Sequence, residues 1–342
     1  MNKFIKTHIL FTLILAILII GLFYFNKDSN FELKIPVPPK KEDLRRIASI
    51  DTMKYSRDVA REKLNDISFD KIIDKQIADI AGTGATHVAI GTPYDEEFLP
   101  FLKRWVAAAR KYKLKVWFRG NFSGWERWFD YSAIDRSTHM AQTVKFVENN
   151  SYLFENGDIF GACNECENGG PGDPRQNGDV IGHREFLIRE YKEVKNAFNK
   201  IGKKVAANFN SMNGDVARLI MDRQTTRELD GIIVVDHYVS TPQILADDLK
   251  RLADKSGGKV VLGEFGVPIV DINGNMTDQK QADWINEAMG RIFQMPEVIG
   301  VNYWVNIGGS TNIWKENGER KIAVDVLTLY YKKNRLKTPS DF

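Results

Sequence analysis

Eight short apolar runs of strand type recur along the chain, and stretches of helical period separate them. The runs are residues 46–51, 86–91, 114–119, 158–163, 204–209, 231–236, 259–263 and 298–304. Several, such as 232–235 and 260–262, are apolar on both faces, which is the pattern of parallel strands covered on both sides. Helical period runs through 68–81, 96–111, 137–148, 184–200, 241–255, 277–293 and 323–332. Ser68, Ser137, Thr241 and Thr277 stand where N-caps belong. The fifth unit is the weakest, with only residues 213–222 to supply its helix. Eight alternations with no second zone of composition predict one α/β domain, a (β/α)8 TIM barrel. The competing doubly wound sheet carries a glycine-rich phosphate loop after an early strand. Here the glycine-containing segment at 82–91 precedes its strand instead.

Ahead of the barrel, residues 9–25 form an uncharged apolar run that follows Lys3 and Lys6. Counted from Thr7 it has 19 residues, close to the roughly 20 that span a bilayer. The run passes directly into Asn26, Lys27 and Asp28 with no small-residue cleavage site. Residues 1–27 are therefore expected to be a signal anchor, a transmembrane helix with its N-terminus in the cytoplasm. Residues 28–43, polar and proline-containing, read as a linker. Residues 44–342 read as the barrel, held outside the cytoplasm at the cell membrane. The net charge of +3 belongs to the anchor: Lys3, Lys6 and Lys27 set aside, 45 basic residues face 45 acidic ones. A neutral domain has no electrostatic footprint for nucleic acid. The expected partner at this end is a membrane, with the chain a monomer.

In a barrel of this kind, chemistry collects at the C-terminal strand ends and the loops that follow. Those positions hold Asp51, then Arg119 and Asn121 with Trp125 and Trp128 in the loop beyond. They also hold Asn164 and Glu165, Asn208 and Asn210, His237 and Tyr238, Glu264, and Tyr303 and Trp304. Glu165 and Glu264 follow the fourth and seventh strands, facing each other across a mouth of amides and aromatics. Two facing carboxyls are what glycosidic cleavage uses: one protonates the leaving oxygen, the other attacks the anomeric carbon or activates water. Aromatic faces suit the C–H side of a sugar, and amides suit its hydroxyls.

Residues 160–165 (FGACNE) and, later, 261–266 (VLGEFG) resemble the paired signatures of the retaining glycoside hydrolases of clan A, family 5-like, the cellulase and mannanase type. The likeness covers about residues 44–333. It implies Glu165 as acid/base and Glu264 as nucleophile, with hydrolysis of a β-linked polysaccharide or oligosaccharide by double displacement. It further implies Asn164 on a substrate hydroxyl, Tyr238 orienting the nucleophile, Trp304 as sugar platform and Arg119 bonding a catalytic carboxylate. His237, Asn210, Trp125 and Trp128 join the expected substrate-binding set. That family usually has a residue between the His and Tyr at the sixth strand, whereas His237 and Tyr238 are adjacent here. A membrane-tethered barrel that binds glycan without cleaving it, and a transglycosylase, are the alternatives.

No metal or cofactor is expected. Cys163 and Cys166 form a C-x-x-C without a second cysteine pair, and the five histidines are scattered. Free thiols are the default there, because a bridge between them requires a turn directly after the strand; a disulfide is the alternative outside the cell.

Overall fold

The computed structural model describes residues 47–335. The expected anchor (1–27) and linker (28–43) lie outside the described residues. Among the described residues, no helix is long and apolar enough to cross a membrane.

Eight parallel strands form one sheet: β1 Ile47–Asp51, β2 His87–Ile90, β3 Lys115–Phe118, β4 Ile159–Phe160, β5 Ser211–Asn213, β6 Ile232–Asp236, β7 Lys259–Phe265 and β8 Val298–Tyr303. Their order is β4-β3-β2-β1-β8-β7-β6-β5. The sheet curls so that β4 meets the segment before β5 through a parallel bridge between Ile159 and Ala206. There the Phe160 N–H donates to the Ala206 carbonyl at 2.8 Å and the Ala206 N–H to the Asp158 carbonyl at 3.0 Å. Each strand is followed by a principal helix: α1 Asp70–Gly82, α2 Leu99–Lys111, α3 Arg136–Asn149, α4 Val180–Lys200, α5 Gly214–Ile220, α6 Pro242–Ser256, α7 Asp278–Ile292 and α8 Ile322–Arg335. The fold is that of a (β/α)8 barrel.

Two local expectations change. The fifth strand, expected at 204–209, is regular only at 211–213. The reason is side-chain competition with the ladder. Asn208 Nδ2 donates to the Leu229 carbonyl, and Asn210 Oδ1 accepts from the N–H groups of Ala162 and Cys163. These bonds replace strand pairing and also leave β4 with only 2 residues. Of the four expected caps, Thr241 and Thr277 accept from Ile244 and Lys280 N–H. Asp135 caps α3 in place of Ser137, and Asp66 caps the short 3-10 turn Ile67–Phe69 that leads into α1 and contains Ser68. A carboxylate there bonds the free N–H groups and also meets the positive end of the helix dipole.

Side-chain alternation along the strands then builds two layers inside the barrel. The lower layer is apolar: Ile47, Ala89, Trp117, Ile159, Phe209, Val234 and Val261 pack as one buried cluster. Two residues further along the same inward rows stand Arg119, above Trp117, and Asp236, above Val234. Asp51 lies four beyond Ile47. All three are buried. The period of two thus sets a polar floor for the mouth directly on the apolar core.

Candidate active site

Glu264 reaches this floor through a break in that period. Counted from the inward Val261, regular alternation turns residue 264 outward. The register between β6 and β7 slips here: Val235 pairs with Leu262, but Asp236 pairs with Glu264. Such a bulge re-aims the side chain after it. Residue 263 must be glycine, because a Cβ there falls 2.4 Å from Asp236 Oδ1 and 2.8 Å from Val234 Cγ1.

Arg119, 2% exposed, holds the floor together. Its Nη2 lies 2.9 Å from Glu264 Oε1 and donates to Asp236 Oδ2 and Ser211 Oγ, both at 3.0 Å. Its Nη1 donates to the Gly263 carbonyl at 2.7 Å and Asp51 Oδ2 at 3.2 Å. Asn302 Nδ2 bonds the same two acceptors. One cation facing three buried carboxyls cannot balance all of them. Burial pushes Asp51 up to about 6 against the pull of Arg119, with the charge of Glu264 adding to the rise. Asp236 is held well above the usual range, by burial first. Burial disfavours the Arg119 cation, but the charges of Asp236, Glu264 and Asp51 outweigh it and raise its proton affinity. The second oxygen of Glu264 accepts from Tyr238 Oη at 2.7 Å. The nucleophile candidate is thus gripped at both oxygens.

Glu165 stands on the turn after β4. Its backbone is left-handed, φ 46° and ψ 49°. Its N–H donates to the Ser211 carbonyl at 2.7 Å, and its Oε2 accepts from Asn168 Nδ2 at 2.9 Å. Its carboxyl is raised well above the ordinary value, by burial first and then by the negative charge of Glu264. The expected free thiols on either side are instead joined, Cys163 to Cys166, with Cα atoms 5.3 Å apart. The left-handed Glu165 supplies the turn that the bridge requires.

The other expected site residues divide. Tyr238 and Trp304 meet at the mouth, their rings edge-to-face at 6.2 Å. Lys54 Nζ lies 5.6 Å from the Trp304 ring centre. Trp128 is half-buried, with the Arg57 guanidinium 4.5 Å from its ring. Asn164 Nδ2 donates to the carbonyls of Gly120 and Gly161, while its buried Oδ1 has no protein partner. Three residues are turned to other work. His237 points away from Glu264, with Nε2 2.7 Å from Asp248 Oδ2 on α6. Of the adjacent pair, Tyr238 bonds the Glu264 carboxyl, while His237 reaches Glu264 only through its backbone N–H, which donates to the Glu264 carbonyl at 2.9 Å. Asn210 ties down β4 as described. Trp125 is 1% exposed, so its ring has no face to offer a sugar. It stacks on Phe186 at 5.3 Å and donates to the Cys166 carbonyl.

Sequence reasoning missed Asp236, Ser211, Asn302, Glu126 and Glu167. Asp236 carried a signal, the same strand-final acid as Asp51. Ser211 and Asn302 carried none. Glu126, on the short helix Ser123–Glu126, accepts from Asn121 Nδ2 at 3.2 Å, and burial raises it to about 7. Behind Asn121, His139 Nε2 lies 2.8 Å from Asn121 Oδ1 and His139 Nδ1 lies 2.5 Å from Glu190 Oε1. His139, Cys163 and Glu190 come close enough to share an ion. The Cys163 sulfur is bound in the disulfide and offers no thiolate, and both His139 nitrogens have partners. The set as it stands does not fit a metal.

Arranged this way, the mouth presents a class of site: two carboxyls from opposite strands of a (β/α)8 barrel, one fixed and one favouring its proton. No protein-family profile and no curated protein matches the sequence. Solved structures do match, and these neighbours are glycoside hydrolases. A β-glucuronidase from Ruminococcus gnavus has a TM-score of 0.54 at 12% identity, covering 76% of this chain and 47% of its own. The same enzyme with D-glucuronic acid gives 0.54 at 11%, covering 76% and 45%. A β-D-glucuronidase from Dictyoglomus thermophilum gives 0.51 at 15%, covering 80% and 48%. At such identities the likeness is one of fold. The chain spans under half the length of these enzymes.

Proposed function

We propose that this chain is a retaining β-glycosidase, similar to the family 5 type of clan A, that cleaves O-glycosidic bonds of a β-linked oligosaccharide or polysaccharide. Glu264 is the nucleophile and Glu165 the acid/base. The observation that carries the reading is the two-sided grip on Glu264 by Arg119 and Tyr238, with a proton-favouring Glu165 in its field. Arg119 and Tyr238 fix the attacking carboxylate, so little reorganisation remains at the moment of reaction. Glu165, protonated at rest, gives its proton to the leaving oxygen. Glycosylation then consumes the charge on Glu264, the proton affinity of Glu165 falls, and it serves as base toward water. Trp304 forms the platform beside the scissile bond, and Trp128 an outer wall. The chemistry uses no metal or organic cofactor.

Residues 1–27 tether the barrel to the membrane with the mouth outside the cytoplasm. Supporting this are the apolar run itself and the disulfide, a bond that persists in oxidising compartments.

The test is a panel of activated aryl β-glycosides, with glucosides, mannosides and glucuronides included, against the full chain and Glu264→Ala. The expected result is turnover with retained anomeric configuration, lost in the variant and restored by azide as an inverted glycosyl azide. Wild-type turnover in Glu264→Ala contradicts the assignment. Glycan binding with no turnover on any substrate favours the non-cleaving barrel.

A further inference from the structure

We propose that the Cys163–Cys166 disulfide is a positioning element for Glu165, closing the turn that holds this residue in the left-handed conformation facing Glu264. The inference rests on the glycosidase reading for its kinetic consequence, and on geometry alone for the rest.

A glutamate gains nothing from left-handed backbone, where its Cβ crowds the carbonyl oxygen that follows. Something must hold it there. The side chain itself has one bond from the protein, that from Asn168. The last backbone bond to β3 is that of the Gly161 N–H to the Phe118 carbonyl, and Asn210 stands in for a strand partner only as far as Cys163. Beyond that point the Glu165 N–H has the Ser211 carbonyl, its own carbonyl accepts from the Asn168 N–H at 2.8 Å, and the covalent bridge closes residues 163–166 around it. Both cysteines are buried, and the far end of the turn is pinned by the Trp125 indole N–H on the Cys166 carbonyl. Trp125 itself is locked between Phe186 and His139. The chain of support therefore runs from the core, through Trp125 and the disulfide, to the carboxyl of Glu165.

Position decides what that carboxyl feels. Burial first, then Glu264 from β7, Asp236 from β6 and Glu167 from the same turn, oppose its ionisation, and Arg119 from β3 favours it. Relaxation of the turn to right-handed backbone carries the carboxyl out of this field and toward water. Its proton affinity then falls, and with it the acid step. A dithiol reductant performs the opening by exchange. One reagent thiolate attacks a cysteine sulfur and the other sulfur leaves as thiolate. The second reagent thiol then displaces the first cysteine. Two electrons pass to the cysteines, which take up two protons, and the reagent departs as its cyclic disulfide.

The experiment uses the full chain in detergent, with carboxyl-labelled glutamate, and Glu165→Gln to assign the resonance. Oxidised protein is compared with protein opened by dithiothreitol and reoxidised, and with Cys163→Ser/Cys166→Ser. The expected result is a fall of about one pKa unit or more in Glu165 on opening, reversed on reoxidation. Turnover of glycosides with poor leaving groups falls on the order of a hundredfold, the share carried by general acid catalysis. Dinitrophenyl glycosides with azide present, which need neither acid nor base, keep their rate. An unchanged Glu165 titration overturns the proposal, as does equal loss on both substrate classes, which marks a merely structural bond. If no glycoside is turned over at all, the glycosidase reading fails by itself and the titration still decides the positioning.

Discussion

Arg119 Nη2 and Glu264 Oε1 lie 2.9 Å apart on a floor almost closed to solvent. The arginine comes from β3 and the glutamate from β7, so this contact ties one side of the barrel mouth to the other. It serves orientation more than stability, because one guanidinium shared among three buried carboxyls recovers only part of their desolvation.

Removing that guanidinium strands the acids. Arg119→Ala is expected to lose about 3–5 kcal/mol in urea unfolding, the cost of leaving buried charges without their partner. Arg119→Lys keeps the charge but loses the fork that reaches Ser211, Asp236, Asp51 and Gly263 together. It is expected to fold with a smaller loss and a kcat well below wild type. Equal stability of Arg119→Ala and wild type contradicts this account.

Tyr238 and His237 separate cleanly. Tyr238→Phe removes one hydrogen bond to Glu264 and little volume. It is expected to lower kcat on the order of 10–100-fold with Tm nearly unchanged. His237→Ala breaks the contact with Asp248 outside the mouth, at a cost of about 1 kcal/mol in stability, and leaves kcat near wild type. The reverse pattern puts the wrong residue in the site.

The sign of the pH dependence follows from Glu165. Burial and the charge of Glu264 both raise its proton affinity, so acid catalysis is complete at low pH and kcat/KM falls as pH rises through the raised value. Glu264→Gln removes the largest of the charge contributions and leaves burial, Asp236 and Glu167 in place. Carboxyl NMR is expected to show Glu165 titrating lower in this variant, yet still above an ordinary glutamate because burial persists. A rise in that variant refutes the coupling.

Glu126 gives a stability test with its own sign. Its folded value of about 7 exceeds the ordinary 4.5. The stability it contributes is present below about pH 4.5 and lost as pH climbs through 7. Glu126→Gln does not titrate, so its unfolding free energy gains on wild type between pH 5 and 8, by up to about 3 kcal/mol. Parallel stability curves across that range contradict the burial argument.

Much of this was legible in the sequence because it follows from periodicity. Strands β1, β6 and β8 came from apolar runs, and Asp51, Arg119, Glu264 and Tyr238 from their places at strand ends. What sequence hid follows from side chains that override the backbone pattern. Asn208 and Asn210 replace ladder bonds and move the fifth strand to 211–213. Trp125 reads as a loop residue in the sequence, where exposure is the default, yet it lies on the short helix Ser123–Glu126 and a cluster of Phe186 and His139 from two helices buries it. The disulfide depends on the left-handed conformation at Glu165, which no local residue preference announces. The same holds for Glu264: its inward aim comes from the bulge at Gly263, and simple alternation sends it the other way.

The most direct test is covalent. A 2-deoxy-2-fluoro glycoside with a good leaving group, built on the sugar that the panel identifies, traps the glycosyl-enzyme of a retaining enzyme. Digestion and mass spectrometry of the trapped full chain is predicted to place the sugar on Glu264, with Glu165 unmodified. A label on Glu126, Glu167 or Asp236, or turnover that yields inverted product with no label at all, contradicts the assignment of Glu264 as nucleophile.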